Sequence, residues 1–170
     1  DTLIVASVDP VNGTVTMFSI PRDTVDFPVP ENAQRLYGAT YGNKINSYYA
    51  SASRNPNVFP DGPMPALREM LGNFYGMKID YSLMVNFTGF QEIVDALDGV
   101  RITAKNPVTD DSYPLGGGKY ARIHVLAGVH AMDGAEALIF ARSRHGSSDF
   151  DRAARQQQVI SAIRAQSDMA

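Results

Sequence analysis

Hydrophobic and polar positions change period several times along this chain, and each change marks an element. Thr2 to Asp9 is rich in Leu, Ile and Val and reads as a strand, and Thr14 to Ile20 as its return. Between them Pro10-Val11-Asn12-Gly13 is a turn signal, Asn-Gly favouring the positive backbone angles of a tight hairpin. Residues 26–43, broken by Pro28, Pro30, Gly38 and Gly42, read as irregular, 44–53 as a short helix and the proline-rich stretch 55–65 as a loop. Leu67, Met70, Leu71 and Phe74 recur at helical spacing and predict a helix over 66–75. Tyr81 to Phe87 reads as a strand, and Phe90, Ile93, Val94 and Leu97 mark a helix over 89–97 capped by Thr88. Val100 to Ala104 is a further strand, 106–120 a polar Gly-rich excursion and 123–126 a short strand. Asp133 caps a helix reaching about Phe140, and Asp149 caps a last helix reaching about Gln166.

Strands and helices thus alternate after an opening hairpin. The pattern predicts an α/β (α+β) fold, a mixed central β-sheet with helices packed on both faces in three layers. A length of 170 residues suits one domain over 1–170 with a sizeable core. There is no run of about 18 apolar residues and no signal peptide. With no cysteine, disulfides and Cys-based zinc sites are excluded, which fits a bacterial protein outside the cytoplasm. The pI of about 5.5 argues against a nucleic-acid face. Asp1 runs straight into a strand pattern, as expected of a fragment cut from a longer chain.

Charge changes the picture locally. The chain carries 18 Asp+Glu against 15 Lys+Arg, yet Arg142, Arg144, Arg152 and Arg155 crowd together near its end, and Arg22 follows the hairpin in Pro21-Arg22-Asp23. Guanidinium forks suit phosphate oxygens. On the last helix Arg152, Arg155, Gln156, Val159 and Ile163 fall on one stripe whose far part is apolar and must face the core. Buried arginines need a partner, so the stripe predicts an anion at that helix N-terminus. Arg142 and Arg144, two apart, would point to the same side if their segment is extended. The plainer alternative is ion pairing with Asp149, Asp151 or Glu136 on a solvated face. Asp1, Asp9, Asp23, Asp149 and Asp151 are the carboxylates that could serve a hard cation, with Asp9 also a turn residue and Asp149 a cap. His124, His130 and His145 lack metal-ligand spacing, and Gly116-Gly117-Gly118-Lys119 lacks the full frame of a phosphate loop.

These arginines sit within an ordered series of segments: Asp1-Thr2 before the first strand, Ser19-Ile-Pro-Arg-Asp-Thr24, Lys44-Ile-Asn46, Val85-Asn-Phe-Thr-Gly-Phe90, Ile93 to Val100, Leu126-Ala-Gly128, Met132-Asp-Gly134, Ala137 to Arg144 and Asp149 to Gln157. In that series the chain resembles the LytR–CpsA–Psr family of bacterial cell-wall enzymes. The resemblance implies a phosphotransferase that moves a glycopolymer from an undecaprenyl-pyrophosphate carrier onto peptidoglycan. It implies an extracytoplasmic location at the membrane, with an anchor upstream of this chain. It further implies that Arg22, Arg142, Arg144, Arg152, Arg155 and Gln156 bind pyrophosphate and that Asp1 holds Mg²⁺. The family's first motif aspartate and its strand would lie before Asp1. Arg35, Lys44 and Arg54 are further candidates for a basic wall.

For such a reaction Arg22 and Arg144 would stabilise charge, and either Asp23 or Asp149 would be the general base. Leu83, Val85, Phe87, Phe90, Val94 and Leu97 could line a groove for the lipid tail or simply be core. A hydrolase of the same pyrophosphate and a non-catalytic prenyl-pyrophosphate binding module are the alternatives. A helix-turn-helix regulator is not supported by any segment.

Overall fold

The opening hairpin forms where the alternation places it. In the computed structural model, which describes residues 2–144 and 148–167, β1 (Leu3–Asp9) pairs antiparallel with β2 (Thr14–Ile20), from Leu3 opposite Ile20 to Asp9 opposite Thr14. Asp9 builds the turn. Its carboxylate accepts from the backbone N–H groups of Val11 and Asn12 at 2.9 and 3.1 Å and from the Asn12 side chain at 2.6 Å. Those bonds, the Asn12 side chain first, hold the Asp9 carboxyl below the ordinary carboxylate range. Of the Asn-Gly pair only Gly13 takes a positive φ, 64°.

The chain divides into two compact units, Asp1–Met84 and Val85–Ala170. In the first, β3 (Phe27–Pro28) pairs with β4 (Thr40–Tyr41), and between them lie a 3-10 turn (Glu31–Ala33) and α1 (Gln34–Tyr37). A second 3-10 turn (Ile45–Ser47) leads into α2 (Tyr48–Ser53), and α3 (Pro63–Tyr75) closes the unit. The helix predicted over 66–75 begins earlier because Pro63 occupies its first turn, where a missing N–H costs nothing. The core gathers Phe27, Tyr41, Ile45, Tyr48, Phe59 and Met70, with the Tyr41 and Tyr48 rings edge to face at 4.9 Å.

The second unit holds α4 (Phe87–Ala96), β5 (Val100–Ala104), β6 (Val108–Gly116), β7 (Lys119–Val125), β8 (Gly128–Met132), α5 (Gly134–Arg142) and α6 (Asp149–Ser167). β5 pairs with β8 and β6 with β7, all antiparallel. The core is Val94, Val100, Ile102, Met132, Phe140 and Val159. The stretch 106–120, expected as an excursion, is mostly this β6–β7 hairpin. Gly117 and Gly118 turn it with φ of 57° and 75°, the double positive angle that primed hairpin turns require.

The fold is mixed α/β, as expected. Among the described residues its strands pair as four two-stranded antiparallel ladders. The segment 81–86 departs from its reading. Its apolar run predicted a strand, but it joins no ladder, and a helix opens at Phe87. Asn86, not Thr88, caps that helix, accepting from the Gly89 N–H at 2.7 Å.

α5 meets the cap expected for it. Asp133 accepts from the Glu136 N–H at 2.8 Å while Glu136 accepts from the Asp133 N–H at 3.2 Å, a reciprocal capping box. The helix then packs on α4 backbone to backbone. A Cβ at Gly134 would lie 2.5 Å from the Gln91 carbonyl oxygen, and the Gly134 N–H donates to Asp95 Oδ1 at 2.7 Å. Gly134→Ala is therefore expected to destabilise the chain by about 1–3 kcal/mol by forcing α4 and α5 apart. Urea unfolding would show it as a lowered midpoint with little change in slope.

Candidate functional site

The second unit gathers most of the candidate residues at the junction of α5 and α6. α5 runs two residues past its predicted end, so Arg142 is its last helical residue. Ser143 follows in extended backbone (φ −52°, ψ 132°), is 1% exposed, and donates its hydroxyl to the Ile139 carbonyl at 2.8 Å. Arg142 and Arg144 are thus not two residues of one extended run. Each is held differently.

Arg142 lies against aromatic rings. Its guanidinium carbon is 4.1 Å from the Phe87 ring centroid and 5.4 Å from that of Tyr113, and Nη1 donates to the Tyr113 hydroxyl at 3.1 Å. Ring faces attract a flat cation, typically by ~0.5–2 kcal/mol. Tyr113→Phe keeps the ring and removes the hydrogen bond. It is expected to lower stability by about 0.5–1.5 kcal/mol, the size of one neutral hydrogen bond, read as a lowered urea midpoint. Arg144 exposes its side chain, while its backbone N–H donates to Asp110 Oδ2 at 2.8 Å. Asp110 itself is 1% exposed and also accepts from the Ser112 N–H at 3.0 Å.

The stripe on α6 faces inward as its period requires, with Arg155 and Val159 buried and Arg152, Gln156 and Ile163 half-buried. What the buried polar part meets is the carbonyl end of α5. Arg155 donates through Nε to the Phe140 carbonyl at 3.0 Å and through Nη2 to the Ser143 carbonyl, and Gln156 donates to the Ala141 carbonyl at 3.4 Å. The last carbonyls of a helix lack internal partners and carry partial negative charge, so a cation there satisfies both needs. Burial nevertheless lowers the pKa of Arg155, with Asp151 opposing the shift, but a guanidinium stays charged at any relevant pH. Arg152 pairs with Asp149 at 3.0 Å, three residues apart on the helix.

The cap of α6 is Ser148, where the sequence suggested Asp149. Ser148 donates its N–H and its hydroxyl to Asp151 Oδ2 at 3.0 and 2.7 Å, and its oxygen accepts from the Asp151 N–H at 3.1 Å. This exchange keeps the Asp151 carboxyl below its ordinary value, the Ser148 side-chain bond being the main cause. Asp9 and Asp151 are thus committed to local structure, and Asp149 is left exposed beside Arg152.

In the first unit the Pro-Arg-Asp segment forms its own charged cluster. Asp23 accepts from the Lys44 ammonium at 2.9 Å and lies 3.7 Å from Nε of Arg22. The loop is held by backbone bonds from Ile45 N–H to the Thr24 carbonyl, 2.8 Å, and from Asn46 N–H to the Arg22 carbonyl, 3.2 Å. Each aspartate considered as general base therefore stands beside an arginine. A cavity of about 650 Å³ in the same unit is lined by α3 and residues 76–79, and none of the candidate residues borders it.

Asp1 and His145 lie outside the described residues. Among the described residues no three of His, Cys, Asp and Glu come together as a metal cage. His124 pairs with Thr109 at 2.9 Å and His130 with the Leu126 carbonyl at 2.8 Å. The apolar set considered for a lipid groove divides. Val94 is core, Phe90 packs against it, and Phe87, 56% exposed, supports Arg142. Asp110 and Tyr113 went unnoticed in the sequence. The signal available was a period of two, which puts Asp110 on the same inward face as Val108.

The model of the LytR_cpsA_psr family matches residues 1–169, and the chain belongs to that family. It is 31% identical over 165 residues to the polyisoprenyl-teichoic acid–peptidoglycan teichoic acid transferase TagU of Bacillus subtilis, covering 96% of this chain and 45% of that protein. The chain therefore spans about half the length of the curated relatives it matches. The crystal structure of B. subtilis TagV matches with a TM-score of 0.72 at 30% identity, over 98% of this chain and 56% of that one. TagT with bound octaprenyl pyrophosphate lipid matches with a TM-score of 0.70 at 26% identity, over 99% of this chain and 59% of that one.

Proposed function

We propose that this chain is the core of a transferase that moves a glycopolymer from a polyprenyl-pyrophosphate carrier onto peptidoglycan. The observation that carries the reading is the pair Arg142 and Arg144 at the end of α5, one laid on aromatic rings and the other exposed from a pinned backbone. The structural likeness to a relative solved with a prenyl pyrophosphate supports it. Arg152 would add charge to the diphosphate, and Arg155 and Gln156 would hold the α5 end beneath it.

Phosphoryl transfer asks mainly for positioning and for charge on the non-bridging oxygens. An acceptor hydroxyl oxygen bonds to the sugar-linked phosphorus. The bond from that phosphorus to the bridging oxygen breaks, and polyprenyl phosphate leaves with the electron pair. The hydroxyl proton passes to a carboxylate acting as general base. The product is a phosphodiester between glycopolymer and peptidoglycan. Magnesium enters through the resemblance at Asp1, where it would neutralise diphosphate oxygens. The described carboxylates form no cage of their own for it, and no step above runs through it. The carrier lipid would place the reaction at the extracytoplasmic membrane face. Among the described residues no helix is long and apolar enough to cross a membrane.

The test is turnover of a glycan-loaded polyprenyl pyrophosphate with and without peptidoglycan. Release of polyprenyl phosphate that depends on the acceptor supports transfer. Equal release without acceptor identifies a hydrolase, and tight binding with no release identifies a binding module.

A further inference from the structure

We propose that Asp110 and Arg155 clamp the peptide group joining Ser143 to Arg144 and so act as positioning residues for the Arg144 guanidinium. The proposal rests on the assignment of Arg144 to the diphosphate. The two ends of one peptide plane are involved. Its N–H, from Arg144, donates to the buried Asp110 carboxylate at 2.8 Å, and its carbonyl, from Ser143, accepts from the buried Arg155 guanidinium. An anion on the N–H and a cation on the carbonyl oppose rotation of the plane, and charge-assisted bonds are the stronger kind. The torsions on either side of that plane aim the Arg144 side chain.

Asp110 Oδ1 accepts from the Ser112 N–H of its own strand at 3.0 Å, and Oδ2 is the oxygen that serves the Arg144 peptide. Asp110 is 1% exposed on a strand whose other inward positions, Val108 and Tyr113, carry large hydrophobic side chains. Asp110 reaches 34 residues along the chain to the backbone N–H of the exposed Arg144 itself, and Ser143 beside it is 1% exposed. Preorganised donors work in catalysis because they need not be ordered when the ligand arrives.

The experiment uses the purified full chain, with amide exchange at Arg144 read by NMR and octaprenyl pyrophosphate binding read by calorimetry. In the wild type the Arg144 amide is expected to exchange at least ~100-fold more slowly than in an unstructured peptide. Asp110→Asn puts an amide donor where an acceptor stood. It is expected to speed that exchange about tenfold or more and to weaken binding about tenfold. Combined with Arg144→Ala, it should weaken binding no further than Arg144→Ala alone, because it acts through that side chain. Losses that multiply in the double variant, or an Asp110→Asn protein that binds as the wild type does, overturn the proposal. If Arg144→Ala alone leaves binding unchanged, the diphosphate assignment fails, and amide exchange still decides the clamp. If Asp110→Asn does not fold, the wild-type amide decides it, fast exchange overturning the clamp and slow exchange supporting it.

Discussion

Replacing Arg144 with alanine is expected to lower glycopolymer transfer by about 10²–10³-fold, the usual cost of losing one preorganised donor to a charged transition state. The protein should still fold. The side chain is exposed and the backbone bond to Asp110 does not involve it, so truncation leaves that bond in place. Initial rates with a glycan-loaded carrier and peptidoglycan acceptor, set beside a thermal melt, separate the two effects. A rate within a few-fold of wild type would remove Arg144 from the site.

Arg155→Ala should act in the opposite sense, on stability first. Its guanidinium is buried and bonds the Phe140 and Ser143 carbonyls at the end of α5. Taking it away leaves both oxygens without that donor and a void beside Phe140, whose ring centroid lies 6.0 Å from the guanidinium carbon. An orphaned buried acceptor costs roughly 1–3 kcal/mol, so a loss of about 4 kcal/mol is expected. In a chain of this size that lowers Tm by roughly 10 °C. Arg152→Ala is the natural control, because a partly exposed pair at three residues' spacing contributes only about 0.5 kcal/mol. Equal melting temperatures for the two variants would contradict the place given to Arg155.

Much of this was legible in the sequence wherever the physics is local. The first hairpin, β5, the Asp133 cap of α5 and the inward stripe of α6 all follow from period, caps and turn residues, and each stands within a residue or two of its predicted place. The misses have common causes. Residues 81–87 are apolar enough for a strand, but a strand needs a partner, and period says nothing about partners. The β6–β7 hairpin was hidden by its polar outer face and by glycines that look like a loop. Helix starts at Asn86 and Ser148 were displaced by two residues and by one because Thr88 and Asp149 are equally good caps by type. In the site, the arginines were visible as a local excess of charge. What they bond to was not. Asp110 lies 34 positions from Arg144, and the carbonyls that receive Arg155 belong to the main chain, which sequence cannot mark.

The ring beneath Arg142 has a consequence for how any oxyanion reaches it. Phe87 shields a flat side of the guanidinium, and every N–H of that group lies in its plane. Only the rim remains to be met, so the angle of entry is dictated before an anion arrives. A lysine at that position would bring equal charge with no rim to present, and would accept visitors from any quarter.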